Sequence, residues 1–87
     1  MEIRLGSEAV EDLIYIKKNR NKKILNRIDM LIKSILVSPY KGPGKPEPVK
    51  YNWKGKWSRR IDKENRLIYE VEIDHIKIHS FLGHYKL

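Results

Sequence analysis

Residues 57–85 read WSRRIDKENRLIYEVEIDHIKIHSFLGHY, and the period of two in this stretch decides the fold. Leu67, Tyr69, Val71 and Ile73 alternate with Arg66, Ile68, Glu70 and Glu72, so a strand here turns the first set to a core and the second to an open face. Turn-forming residues at 52–55, at 62–65 and at Asp74 with His75 punctuate this half of the chain. Antiparallel strands are predicted near 47–51, 56–61, 66–73 and 76–84.

The faces follow from the turns. A three-residue loop, Lys63-Glu64-Asn65 with Asn65 left-handed, sets Ile61 against Leu67 in the core and Arg60 beside Arg66 on the open face. A loop one residue shorter or longer buries Arg60 beside Leu67, which is costly without a partner. Arg59 and Arg60 face opposite sides, which leaves Arg60 to join Arg66. In the last strand Ile76 and Ile78 belong to the core, yet strict alternation then carries His84 inward and Phe81 outward. A one-residue bulge near His79 or Ser80 returns Phe81 to the core and swings His84 to the face of Arg66. With Asp74-His75 as a two-residue loop, Arg66 falls across from Gly83, within reach of His84.

Upstream the period changes to that of helices. Glu2 to Leu5 read as a short strand. Ser7 is placed to cap a helix that carries Glu8, Glu11 and Asp12 in its first turns and Val10, Leu13, Ile14 and Ile16 as its buried stripe. Asn19 and Asn21 punctuate, and Ile24, Leu25, Ile28, Leu31, Ile32, Ile35 and Leu36 follow at helical spacing. All four prolines fall between Pro39 and Pro48, where they end the second helix and make any strand at Glu47 an edge strand. The expected fold is α+β: an N-terminal strand and two antiparallel helices packed on a twisted, mainly antiparallel sheet.

Eighty-seven residues predict one domain, 1–87, that buries about 60–65% of its extended surface. There is no cysteine, so packing rather than disulfides holds the fold, and three dispersed histidines offer no zinc-like ligand spacing. No metal or other cofactor is expected. The start of the chain shows no basic stretch followed by an apolar run, and no apolar stretch approaches a membrane span, which predicts a cytoplasmic protein without a membrane partner. Nineteen Lys and Arg against eleven Asp and Glu give a formal charge of +8 and point to an anionic partner.

With these elements in place, GKPEPVKYN, GKWSRRIDKENRLIYEV and the C-terminal HY resemble, in order and spacing, the YoeB/Txe branch of the RelE-type bacterial toxins. The likeness runs from Ser7-Glu8 to Tyr85. It implies the RelE-like microbial ribonuclease fold and an mRNA interferase that enters the ribosomal A site, cuts the mRNA there and is neutralised by a cognate acidic antitoxin of the YefM/Axe kind. It further implies operator DNA bound only through the toxin–antitoxin complex, and homodimerisation. Residue by residue, the family's general base falls on Glu47, its phosphate-binding arginine on Arg66 and its general acid on His84. Arg60 and Tyr85 take supporting positions, and Lys50 a basic position that contacts RNA. The chain departs from the family at Phe81-Leu82-Gly83, where relatives often carry polar, basic or aromatic residues, and at Lys86-Leu87, which extend beyond the usual terminal tyrosine. Tyr51 and Asn65 stand where some relatives have histidine.

The residue types suit that chemistry. Metal-free RNA cleavage uses the ribose 2′-oxygen as nucleophile, and it needs a base for the 2′-OH, an acid for the departing 5′-oxygen and positive charge on the phosphate oxygens. The products are a 2′,3′-cyclic phosphate and a 5′-hydroxyl. Prolines on both sides stiffen the backbone of Glu47, and the cations Lys45 and Lys50 favour its ionised form. Taken singly, Glu47 reads as a surface loop glutamate, Arg66 as a strand arginine paired with a carboxylate, and His84 as a frayed terminal histidine. Trp57 is assigned to the core with Val71, and His75 and His79 to structural or solvent roles. Two other classes fit part of the chain: a ParE-like toxin scaffold that inhibits a DNA-handling protein, and a plain nucleic-acid-binding module. Both leave Glu47 without a task.

Overall fold

The computed structural model describes residues 1–49 and 55–83. Within them the chain runs β1 (Glu2–Leu5), α1 (Ser7–Lys18), α2 (Lys22–Val37), β2 (Glu47–Pro48), β3 (Lys56–Arg60), β4 (Arg66–Val71) and β5 (His75–Ser80). The strands form one sheet in the order β1-β5-β4-β3-β2, antiparallel throughout except for the parallel pairing of β1 with β5. Two helices cover one face, as the periodicities predict.

Local chemistry explains the helix boundaries and corrects some expectations. Ser7 is the first residue of α1, and extended Gly6 occupies the cap position without a side-chain bond. Gly6 instead donates its N–H to the Ile78 carbonyl at 2.9 Å, so the last turn of strand pairing starts the helix. The buried stripe of α1 is Ala9 and Ile16, with Leu13 packed alongside, whereas Val10 and Ile14 face outward. The smaller Ala9 is the residue that fits against the sheet. Asn21 caps α2 by accepting the Ile24 N–H at 3.1 Å, after Arg20 turns the chain at φ +54. Ile28, Leu31 and Ile35 then form the fully buried face of α2, with Ile24, Leu25 and Ile32 beside it, while Leu36 is exposed.

The sheet side of the core is Leu67, Tyr69, Ile76, Ile78 and Phe81, with Ile61 at its end. Trp57 and Val71 pack against this cluster, and the Trp57 ring meets Tyr40 at a centroid distance of 4.7 Å. Ile73 was assigned to the core by alternation but is 99% exposed. The Glu72 N–H bonds the His75 carbonyl, so the loop is Ile73-Asp74, one residue earlier than expected, and it lifts Ile73 off the strand.

The turn between β3 and β4 also differs in detail. Asn65 is not left-handed. The Asp62 carboxylate receives the N–H groups of Glu64 and Asn65 and the Asn65 amide, a side-chain-built turn. Register follows as Arg60 opposite Arg66 and Arg59 opposite Leu67. The predicted faces of Arg60 and Ile61 are kept, but Arg59 rather than Ile61 faces Leu67.

The bulge in β5 is present. Ile68 pairs with Ser80 while Tyr69 pairs with Ile78, so His79 is the additional residue, and Phe81 is 1% exposed. Of the predicted strand 47–51, residues 47 and 48 are paired, and positions 50–51 lie outside the described residues.

Candidate active site

The face of the sheet away from the helices carries the candidate chemistry. Register places Glu47, Ser58 and Ile68 in one row across β2, β3 and β4, with Arg60 and Arg66 side by side in the next. Paired residues share a face, so these side chains converge from three strands.

Arg66 reaches from the second row into the first. Its Nη2 lies 3.2 Å from Glu47 Oε1, and its Nη1 donates to Ser58 Oγ at 3.1 Å. The Arg66 side chain is 22% exposed and that of Glu47 54%, so the pair lies open to a ligand rather than sealed inside. Ser58 is fully buried, and its hydroxyl fixes the plane of the guanidinium. Sequence reading missed Ser58. Its strand parity with Glu47 was the available signal.

Arg60 stands directly opposite Arg66 and is exposed. Two like charges at one cross-strand position are unfavourable on their own, so their juxtaposition concentrates positive potential where an anion relieves it. The Arg60 backbone is pinned on both sides: its N–H donates to Gly44 O at 2.7 Å and its carbonyl receives Arg27 Nη2 at 3.2 Å. Gly44 has φ +85, and a Cβ there would sit 3.0 Å from the Arg60 carbonyl, so glycine permits this approach. Lys45, exposed and at φ +49, follows it on the way to Glu47.

Gly83 reaches the same spot from β5. Its N–H donates to the Arg66 carbonyl at 3.1 Å, the contact expected from register. A Cβ on Gly83 would lie 2.6 Å from that carbonyl, so in this chain the glycine of Phe81-Leu82-Gly83 lets the backbone close on β4. The other three assigned positions, Lys50, His84 and Tyr85, lie outside the described residues.

A second cluster lies on the same face. His79 Nε2 is 2.9 Å from Glu70 Oε1, and Lys56 Nζ is 4.0 Å from the same oxygen. The hydrogen bond from His79 holds the Glu70 carboxyl below its ordinary range, against the opposing effect of partial burial and with help from Lys56. A carboxyl whose folded pKa is depressed adds stability above its unfolded pKa of about 4.3–4.5, and that contribution is lost as pH falls through the folded value. Glu70→Gln is therefore expected to weaken the acid dependence of stability. Urea unfolding between about pH 6 and pH 3 checks this, and parallel curves for the two proteins would remove Glu70 from the acid response.

A concavity of about 420 Å³ opens elsewhere, lined by Asn21, Lys23, Ile24, Arg27, Ile61 and Asp62, and none of Glu47, Ser58 or Arg66 borders it. In the carboxylate–arginine cluster Ser58 and Ile68 are buried, and the charged ends of Arg66 and Glu47 are its accessible part. Among the described residues no helix is long and apolar enough to cross a membrane.

Comparison with known proteins shows the family and the fold. Residues 5–85 match the family model described as YoeB-like toxin of bacterial type II toxin-antitoxin system. Toxin YoeB of Synechocystis sp. is 42% identical over 86 residues, 99% of each chain. The YoeB dimer from Staphylococcus aureus superposes with a TM-score of 0.90 at 43% identity, over 98% of both chains. The heterotetrameric YoeB-YefM toxin-antitoxin complex from the same organism gives 0.87 at 43% identity, again over 98% of both.

Proposed function

The chain belongs to the YoeB-like toxins of bacterial type II toxin-antitoxin systems, and from that premise we propose that it is an mRNA endoribonuclease that cuts within the ribosomal A site. The observation that carries the reading is the Glu47–Arg66 contact of 3.2 Å on an open, arginine-rich sheet face, with Arg60 alongside. Arg66 draws the scissile phosphate and takes up charge as it builds on the phosphate oxygens. Glu47, the carboxylate next to it, removes the 2′-OH proton. The attack forms the bond from the 2′-oxygen to phosphorus and breaks the bond to the 5′-oxygen, which takes a proton from His84. Cyclic phosphate and 5′-hydroxyl ends result. Arg60 and Lys45 lend charge to the flanking phosphates, with Lys50 and Tyr85 in supporting positions, and the reaction as written uses no cofactor.

The contact between Glu47 and Arg66 bears on RNA binding. A phosphate entering the site competes with Glu47 for the guanidinium, which frees the carboxylate to act as a base at the moment RNA arrives. For its partner we propose an acidic antitoxin of the YefM kind, since a face bearing Arg60 and Arg66 on a chain of formal charge +8 favours an acidic segment. Operator DNA is bound through that complex, and self-association follows the dimeric relative.

Incubation with programmed ribosomes, with and without the ribosome and with product ends identified chemically, tests the reading. A ribosome-dependent cut in the A-site codon leaving a cyclic phosphate is expected. Ribosome-independent cutting keeps the chemistry and removes the partner. A folded, toxic protein that cuts nothing transfers the assignment to the ParE-like reading.

A further inference from the structure

We infer that Asp12 is a positioning residue for this site: its carboxylate holds the stretch of backbone, Phe81-Leu82, that leads to His84 in the sequence. This rests on the reading of His84 as the general acid.

Asp12 lies on α1, yet its Oδ2 accepts two N–H groups from the far end of the chain, Phe81 at 2.9 Å and Leu82 at 3.1 Å. Both amides follow the end of β5 directly. The bulge at His79 has just shifted this stretch relative to β4, so these donors need acceptors from elsewhere. A carboxylate supplies a charged acceptor, and bonds to it are shorter and stronger than those to a neutral carbonyl. The next amide, that of Gly83, donates to the Arg66 carbonyl at 3.1 Å. Three successive N–H groups are therefore fixed, two by α1 and one by the strand that carries Arg66. The Phe81 ring anchors the same segment in the core. The path is determined from both sides of the sheet up to the residue preceding His84.

Loss of Asp12 leaves the Phe81 anchor and the Gly83 bond in place, so the fold has reason to survive while the segment loses two of its three tethers. A displacement of about 1 Å in a reacting group costs on the order of 10²-fold in rate. Asp12→Ala is expected to lower the single-turnover cleavage rate on programmed ribosomes by about 10- to 100-fold, with the half-saturating ribosome concentration nearly unchanged. Asp12→Asn retains an oxygen that can accept both amides, and it should stay within about threefold of wild type.

A merely structural role is separated by a cycle with His84→Ala. If Asp12 acts through His84, Asp12→Ala adds no further loss once the histidine is gone; an equal loss on both backgrounds overturns the inference. Should Asp12→Ala fail to fold, Asp12→Glu keeps the charge but displaces the oxygen by about one bond length, roughly 1.5 Å, and the same cycle applies to it. A wild-type protein that cuts while Asp12→Ala cuts equally well refutes the inference alone; a wild-type protein that cuts nothing removes it together with the nuclease reading.

Discussion

Arg59→Ala is expected to cost roughly 3–5 kcal/mol of folding stability, a large share of the 5–15 kcal/mol typical of a small domain. Arg59 is fully buried on the helix side of the sheet, and among the described residues no carboxylate pairs with it. Oxygen atoms from other elements surround it instead. Nη1 donates to Ser34 Oγ at 2.8 Å and to Pro43 O at 3.3 Å, Nη2 to Ser38 O at 2.6 Å and Lys41 O at 2.8 Å, and Nε to the Tyr69 hydroxyl at 3.3 Å. Tyr69 in turn donates to Pro39 O at 2.5 Å. The proline-interrupted segment 38–44 has its carbonyls gathered around this guanidinium, and that segment leads into Glu47. Truncation leaves those acceptors without a donor and opens a cavity between α2 and the sheet. Arg59→Met restores most of the volume but none of the donors, so it should remain destabilised by about 2 kcal/mol or more. Arg59→Lys, with one ammonium for five acceptors, should fall between Met and wild type. Denaturant unfolding of the three variants measures this, and a Met variant within about 0.5 kcal/mol of wild type would show that packing rather than hydrogen bonding holds Arg59 inside.

Arg59 also shows how far the sequence could be read. Alternation placed Arg60 with Arg66 on the open face, and that assignment needs only the parity of the turn. The same parity sends Arg59 inward, an implication that composition rules discourage, because an arginine is rarely buried without a partner. Three of its five acceptors are backbone carbonyls of a loop, and no residue type announces such a cage. The bulge was legible for the opposite reason. Strict alternation exposes Phe81, and one extra residue at His79 returns it to the core. Ile73 was misplaced because a loop of Ile73-Asp74 and one of Asp74-His75 both look like turns; the two keep the same strand faces, and only Ile73 passes from strand to loop. Val10 and Ile14 on α1 lost to Ala9 because the close approach of helix to sheet selects a small side chain, which hydrophobicity alone does not reveal. In the candidate site, strand parity put Arg60 beside Arg66, and Glu47 came forward through the family resemblance rather than from its own surroundings. Ser58 and Asp12 did not, since what they do depends on register and on a contact across some seventy residues of chain.

The sharpest separation between an ordinary ion pair and a reacting pair comes from Arg66. As a surface contact, the Glu47–Arg66 pair is worth about 0–1 kcal/mol, because Glu47 is more than half exposed and water screens it. Arg66→Ala also takes a donor from the buried Ser58 hydroxyl, so in all it should cost about 1–3 kcal/mol of stability and leave the protein folded. As the group that binds the phosphate and meets its growing charge, the same residue should be worth about 10²- to 10³-fold in cleavage rate. Arg66→Lys keeps the charge but loses the planar fork, and with it the simultaneous hold on Ser58 and the ligand, so its rate should recover only partly. Glu47→Gln removes the proton acceptor while preserving shape, and it should lose about 10²- to 10⁴-fold with stability nearly unaltered. The three variants are compared for single-turnover cleavage on programmed ribosomes and for thermal unfolding in the same preparations. Rates within about threefold of wild type for a folded Arg66→Ala would reduce the pair to a surface contact and move the chemistry off this face of the sheet. A rate that falls a thousandfold while the protein stays folded ties the charge of Arg66 to the reaction itself, because a stability loss of about 1–3 kcal/mol leaves the folded fraction nearly whole.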